Sequence, residues 1–265
     1  MNGKTTFNVS GRRTYADILA APVIAIAAKI ENSKGNAGYY FYDFNAKISH
    51  KFSDKDKLFL SFYSGDDVIK FNTEDNNSYG EWYKVIDRSK LDWKWGNVVS
   101  ALRWNHVISN KLFMNTTASL TKYRFNMSVE SGFDRYYFEQ DSTINANTKI
   151  GFNSEIMDYS AKVDFDWMPN PNHDIKFGVN YINHSFKPGV NVLQELTITN
   201  ARPLSNDTIY GDMRVGSHEM SAYIEDDFTL SKRIKMNAGL HYSYHMVELL
   251  LHQTFAKPNY LLVLS

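Results

Sequence analysis

Residues Met220 to Tyr244, MSAYIEDDFTLSKRIKMNAGLHYSY, leave little choice of local structure. In the first half Met220, Ala222, Ile224, Phe228 and Leu230 fall on even positions, whereas Ser221, Tyr223, Glu225, Asp227 and Thr229 fall on odd ones. A repeat of two places these sets on opposite faces of a strand. After Ser231-Lys232-Arg233 the alternation resumes, with Ile234, Met236, Ala238, Leu240, Tyr242 and Tyr244 against Lys235, Asn237, Gly239, His241 and Ser243. Two such runs about a short polar turn make a β-hairpin. Each arm has roughly ten residues, the length a tilted strand needs to cross a bilayer's hydrocarbon layer; soluble strands average about five or six. The polar set, with Glu225, Asp227, Lys235 and His241, suits a watery lumen, and tyrosines at one end of the apolar set suit an interfacial aromatic girdle. A long soluble hairpin with one solvated face has the same alternation.

The construction recurs along the chain. Tyr42, Phe44, Ala46, Ile48 and Phe52 alternate with Asp43, Asn45, Lys47, Ser49 and Lys51, and the chain returns from a polar turn at Ser53 to Asp56 through Leu58, Leu60 and Phe62. A third hairpin pairs Val98 to Val107 with Leu112 to Phe125 across Ser109-Asn110. The fourth sets Tyr159, Ala161, Val163, Phe165 and Trp167 against Ser160, Lys162, Asp164 and Asp166, turns at Met168 to His173, and returns with Ile175, Phe177, Val179 and Tyr181 opposite Lys176, Gly178 and Asn180. Thr5 to Leu19 reads as a weaker first strand. Val23 to Ile30, following Pro22, fits a short helix or an extended piece. Between hairpins the alternation fades, so Ser64 to Trp93, Asn126 to Asp158 and Lys187 to Ser217 read as long loops. The expected fold is all-β: an antiparallel transmembrane β-barrel segment of about nine long strands, with short periplasmic turns and long extracellular loops. A β-sandwich would show shorter strands and no consistent end for its long loops.

Composition narrows the chemistry. Tyrosine and phenylalanine number 17 each, enough for two aromatic belts. Cysteine is absent, which removes disulfides, thiolate metal sites and thiol nucleophiles. Basic and acidic residues balance at 29 each, so no global field draws the chain to nucleic acid. No apolar run approaches the roughly eighteen residues of a membrane helix, a rule that leaves barrels untouched. The eight histidines are dispersed without metal-ligand spacing. Asp66-Asp67 and Asp226-Asp227 are neighbours on strands, so the members of each pair point to opposite faces and do not converge as acid and base. No hydrolase, phosphate-loop or dinucleotide motif is present. The expectation is a protein that is not an enzyme and has no cofactor or metal. Its candidate lumen-facing residues are Asp43, Lys47, Lys162, Asp164, Asp166, Lys176, Glu225, Asp227 and Lys235. Candidate ligand contacts in the loops are Tyr79, Trp82, Tyr83, Tyr136 and Tyr137, with loop-to-loop packing as their plainer role. Asp226, alone among acids in falling on the apolar side of its strand, is expected near an interface or a bulge.

Three stretches carry a family resemblance: Ser10-Gly11-Arg12-Arg13-Thr14-Tyr15; Gly38 to Asp67; and Ala222 to Asp227 with Leu230 to Arg233 and Asn237 to Leu240. Taken in order, from Phe7 to Tyr244, the chain resembles the barrel domain of a TonB-dependent outer-membrane receptor of the Bacteroidota type. The resemblance implies residence in the bacterial outer membrane, contact with outer-membrane lipid, and import of a scarce nutrient. It also implies a twenty-two-stranded parent barrel filled by an N-terminal plug and energised through TonB. No plug sequence is recognisable here, nothing at Met1 to Val9 resembles a secretory signal, and the strands are too few. The expectation is therefore a fragment of such a receptor. Residues 1–247 form the partial barrel, and 248–265, where Leu249-Leu250-Leu251 breaks the alternation, form an atypical tail. A self-contained small barrel, acting as a passive pore or adhesin, and a soluble β-rich binding protein are the competing readings.

Overall fold

The computed structural model describes residues 3–30, 33–199, 203–211, 213–231, 233–249 and 253–261; at 190, 203, 210, 249 and 253–261 the description is of the backbone alone. Strand β1 (Thr5–Arg13) leads into helix α1 (Ala16–Ile30), followed by β2 (Ser33–Lys51), β3 (Asp56–Tyr79), β4 (Tyr83–Ser109), β5 (Leu112–Tyr137), β6 (Ser142–Asn170), β7 (His173–Ile198), β8 (Pro203–Tyr210), β9 (Val215–Ser231), β10 (Ile234–Leu249) and β11 (Gln253–Leu261). All strands belong to one antiparallel meander in the order β1 to β7, β9, β10, β11, with β8 beside the outer part of β7. Residues 173–186 of β7 pair with β9, and 191–198 pair with β8. No ladder among the described residues joins β1 to β11, so the sheet is open.

The fold class is the expected one, with three corrections. The described residues form eleven strands, where about nine were expected. The stretches read as long loops are strands: β3 runs on to Tyr79, β4 starts at Tyr83, and β5 and β6 are 26 and 29 residues long. Their far halves turn tightly at residues 80–82 and 138–141. A two-sided polar arm has no apolar set to alternate, so its hydrogen-bonded ladder is invisible to hydropathy. At the other end β10 passes Val247 to Leu249, and β11 pairs with it from His241 to Leu249, so the atypical tail includes a strand. The undecided segment is helical. Alanines at 20, 21, 25, 27 and 28 favour α1, although Pro22 lies inside it and forfeits one backbone bond.

Register explains what the hairpins share. Phe7, Ile48, Leu60, Leu102, Ala118, Ala161, Tyr181, Met220 and Tyr244 are successive cross-strand neighbours on one face. Among the described residues nothing covers this apolar face. Ile48, Leu60, Ile224 and Leu240 are 45%, 46%, 52% and 55% exposed, and the buried apolar side chains among the described residues are Val68 and Val85 alone. The other face is polar, as period two requires.

The apolar band is inclined to the rows of paired residues. On its near border, Leu58 of β3 stands level with Ala222 of β9, yet on β9 the apolar face continues six residues further, to Phe228. On its far border, Tyr42 of β2 is level with Lys187 of β7, whereas the last tyrosine on that face of β7 is Tyr181, six residues short, and β2 carries a further tyrosine, Tyr40, beyond Tyr42. Six residues are ~20 Å and five strand spacings ~24 Å, so both borders slope by about 40° or more from the rows. A belt level around a barrel whose strands tilt by roughly 35–45° has this slope.

Helix α1 lies along β2 beyond the end of β1. Thr14 N donates to Phe41 O and Phe41 N donates to Thr14 Oγ1, both at 2.9 Å, which closes the β2 edge where β1 leaves it. Ala28 and Asp17 approach the sheet at Gly35 and Gly38, which lack the side chains that would hold the helix off.

Two further glycines let side chains reach across a whole strand. Asp66 of β3, Gly96 of β4 and Arg124 of β5 are level neighbours, and Arg124 Nη2 reaches Asp66 Oδ1 at 3.1 Å over Gly96. On the polar face Asp164, Gly178 and Tyr223 repeat the arrangement, with Tyr223 OH donating to Asp164 Oδ1 at 2.7 Å. A Cβ at Gly96 would collide with the Asp66 carboxylate and the Gly65 carbonyl. Gly96→Ala should therefore lose about 1–3 kcal/mol in denaturant titration of detergent-refolded protein, whereas Gly11→Ala, with only ordinary contacts at 3.7 Å or beyond, should change stability by under about 0.5 kcal/mol. Equal midpoints for the two variants would mean that Asp66 does not lie over β4.

Candidate functional site

All nine lumen-facing candidates fall on the polar face in the observed register. Those on β6 to β10 form a charge network. Lys162 Nζ is 3.0 Å from Asp164 Oδ1, and Lys176 Nζ stands between Glu225 at 3.9 Å and Asp227 at 3.8 Å. Asn237 donates to Asp227 at 2.6 Å. His184 joins from the same face, 2.8 Å from Asp158 and 3.8 Å from Glu219. Asp166 is level with Lys176, and Lys235 with Thr229. Asp43 stands apart from this network and accepts from Arg12 Nε at 2.5 Å.

Lys47 belongs to a different group that sequence reading missed. With Lys57 and Arg103 it surrounds the Phe59 ring, at 5.8, 4.8 and 4.7 Å from the centroid, a cation–π arrangement. The polar face of β6 to β9 is mainly acidic, whereas on β2 to β4 these cations share the face with Asp43 and Asp67. Balanced composition conceals the grouping, and only the pairing of neighbouring strands reveals it.

The five aromatic candidates lie at the tips of the polar arms. Register aligns Tyr79, Tyr83 and Tyr137, and their rings follow one another at 4.8 and 5.9 Å. Arg135 lies over Tyr83 at 5.5 Å and donates to Tyr137 OH at 3.3 Å. Trp82, 71% exposed, occupies the turn beside Gly80, whose φ of 62° is one that glycine adopts freely. Tyr136 is level with Lys84 and points to the other face. Three of the five therefore make one stacked row, a fourth borders it, and Tyr136 is separate.

Below the tips, on the other face of the sheet, a half-open cleft of about 660 Å³ is lined in part by Lys34, Glu74, Arg88, Asp134, Asn145 and Asn147. Glu74 accepts from Lys34 Nζ at 3.1 Å and Arg88 Nε at 3.2 Å, and Arg88 Nη1 is 2.5 Å from Asp134. This chain of alternating charges links β2 to β5, where no apolar face does so.

The histidines and paired acids resolve into ordinary contacts. His106 pairs with Asp56 at 2.7 Å and His173 with Asp226 at 2.6 Å, both at the near border of the apolar band. Asp226 thus has a partner at the edge of the greasy surface, where it was expected. Asp66 and Asp67 diverge: Tyr39 OH donates to Asp67 at 2.7 Å on one face and Tyr42 OH to Asp66 at 2.7 Å on the other. Among the described residues, no three His, Cys, Asp or Glu side chains converge as metal ligands do.

No protein-family model matches the sequence, and comparison with curated proteins finds no similar chain.

The Glu74 network carries a pH dependence. Hydrogen bonds from Lys34 and then Arg88 hold its carboxyl below the ordinary 4.5. Its contribution to arm stability is therefore complete above that value and fades as pH falls through the lowered one. Trp82 emission should respond to acidification in that range, and the response should shrink in Glu74→Gln; an unchanged titration would remove Glu74 from the arms' support.

Proposed function

We propose that this chain is part of the wall of an outer-membrane β-barrel receptor of the TonB-dependent kind, which admits a nutrient rather than transforming one. The observation that carries this reading is the inclined apolar band on an otherwise coreless sheet. Water is a poor neighbour for a continuous surface of this size, a second protein layer is absent among the described residues, and the slope is that of tilted strands crossing a level slab. Outer-membrane lipid is the first partner. The polar face lines a water-filled interior, and the Tyr79, Tyr83 and Tyr137 row, at the tips on that same face, meets the ligand first. Such a row offers ring faces and hydroxyls to a flat or sugar-like surface.

In a complete receptor an N-terminal plug fills the interior and TonB supplies the pull; this chain contributes wall and capture surface. Its open edges suit a wall continued by further strands, since lipid satisfies no unpaired backbone group. Neither the charge balance nor the polar network favours nucleic acid as a partner.

Nitroxide labels test the reading. In reconstituted protein, labels at Phe44, Val163 and Leu240 should be quenched by lipid-borne reagents, and labels at Lys47, Lys162 and His241 by water-soluble ones. If the first set meets bulk water or a protein interior, the membrane assignment is wrong.

A further inference from the structure

We infer that the apolar face ends, at its far border, in a site for the phosphate of an anionic lipid, formed by Lys94 of β4 and Arg124 of β5 over Asp66. The inference rests on the membrane reading above and adds to it a specific lipid contact. Depth is the first argument. Asp66 lies eight residues beyond Leu58, the near border of the band on β3, on the same face. That distance is ~27 Å along a strand and, with a tilt of about 40°, ~21 Å along the membrane normal, close to the ~25 Å height of a transmembrane barrel's apolar band. The cluster therefore stands at the level of lipid headgroups.

Charge is the second argument. The Asp66 side chain is 6% exposed and shared by two cations, Lys94 Nζ at 3.3 Å and Arg124 Nη2 at 3.1 Å, while Tyr42 OH donates to it at 2.7 Å. One carboxylate against two cations leaves one positive charge over, where solvent is scarce and an uncompensated charge is costly. The neighbouring Lys122 and Glu155 neutralise each other at 2.8 Å. A phosphodiester carries the single negative charge that is missing. Donors remain for it on the exposed parts of both cationic side chains, Lys94 at 43% and Arg124 at 35% exposure. Gly96 makes the site possible, because any side chain there would part Arg124 from Asp66.

The test uses the full chain in mixed micelles of phosphatidylcholine and phosphatidylglycerol, with retained lipid counted by native mass spectrometry. Wild-type protein should retain phosphatidylglycerol in preference to phosphatidylcholine. Lys94→Gln and Arg124→Gln should each reduce that preference about fivefold, and Lys162→Gln, on the opposite face, should leave it unchanged. Asp66→Asn should raise it, a change of sign that a folding defect does not produce. Equal retention of the two lipids, or unaltered preference in Arg124→Gln, overturns the site, and displacement of the lipid by millimolar inorganic phosphate reassigns it to free phosphate. A lipid-facing label at Leu240 with no phosphatidylglycerol preference defeats this inference alone; a water-facing label there defeats the membrane reading on which it stands.

Discussion

Backbone hydrogen bonding between neighbouring strands carries this structure almost unaided. Among the described residues this single layer has no opposing surface to pack against, and with Val68 and Val85 as their buried apolar side chains nothing there serves as an interior to drive collapse in water. Ladders satisfy the peptide groups from β1 to β11 along the sheet, and the remaining requirement is an apolar medium on one side, which membrane lipid supplies in the proposed reading. Among the described residues the outer borders of β1 and β11 are unpaired, and in the proposed reading further strands continue the sheet there.

Side-chain chemistry then differs by height along the strands. Within the apolar band, period two separates oily from charged residues, and the charged ones engage one another across β6 to β10. Beyond the band both faces are wet, and cohesion passes to ion pairs such as Arg88 with Glu74 and Asp134, and to stacked rings at the tips. The histidine–aspartate pairs mark the lower border, and the Asp66 cluster marks the upper one.

The legible part of the fold was the part with contrast. Met220 to Tyr244 declares itself as a hairpin because Ile224 and Glu225 differ in polarity. Asn72 to Ser78 gives no such signal, since neighbours such as Thr73 and Glu74 are polar alike, and its strand is held by pairing alone, with Lys84 to Lys90 on one side and Ser33 to Asn36 on the other. Pro22 and the surrounding alanines pulled the reading of α1 in opposite directions. Among site residues, the polar-face set followed directly from parity. The Phe59 cations and the Lys94–Asp66–Arg124 cluster did not, because each combines three strands whose alignment depends on arms that lack alternation. An isolated glycine inside a strand, such as Gly96 or Gly178, was the available hint of a close approach.

Those two glycines have a mechanical consequence. A sheet of paired strands yields most easily when one ribbon slides along the next, and a bond between immediate neighbours can re-form after such a step. A tether that vaults an intervening ribbon couples three of them at once and needs a gap at one height, so a slip of a single residue puts a bulky side chain beneath it. Asp66 to Arg124 and Asp164 to Tyr223 therefore act as dowels against shear, one on each surface, in a wall too thin to be stiffened by anything behind it.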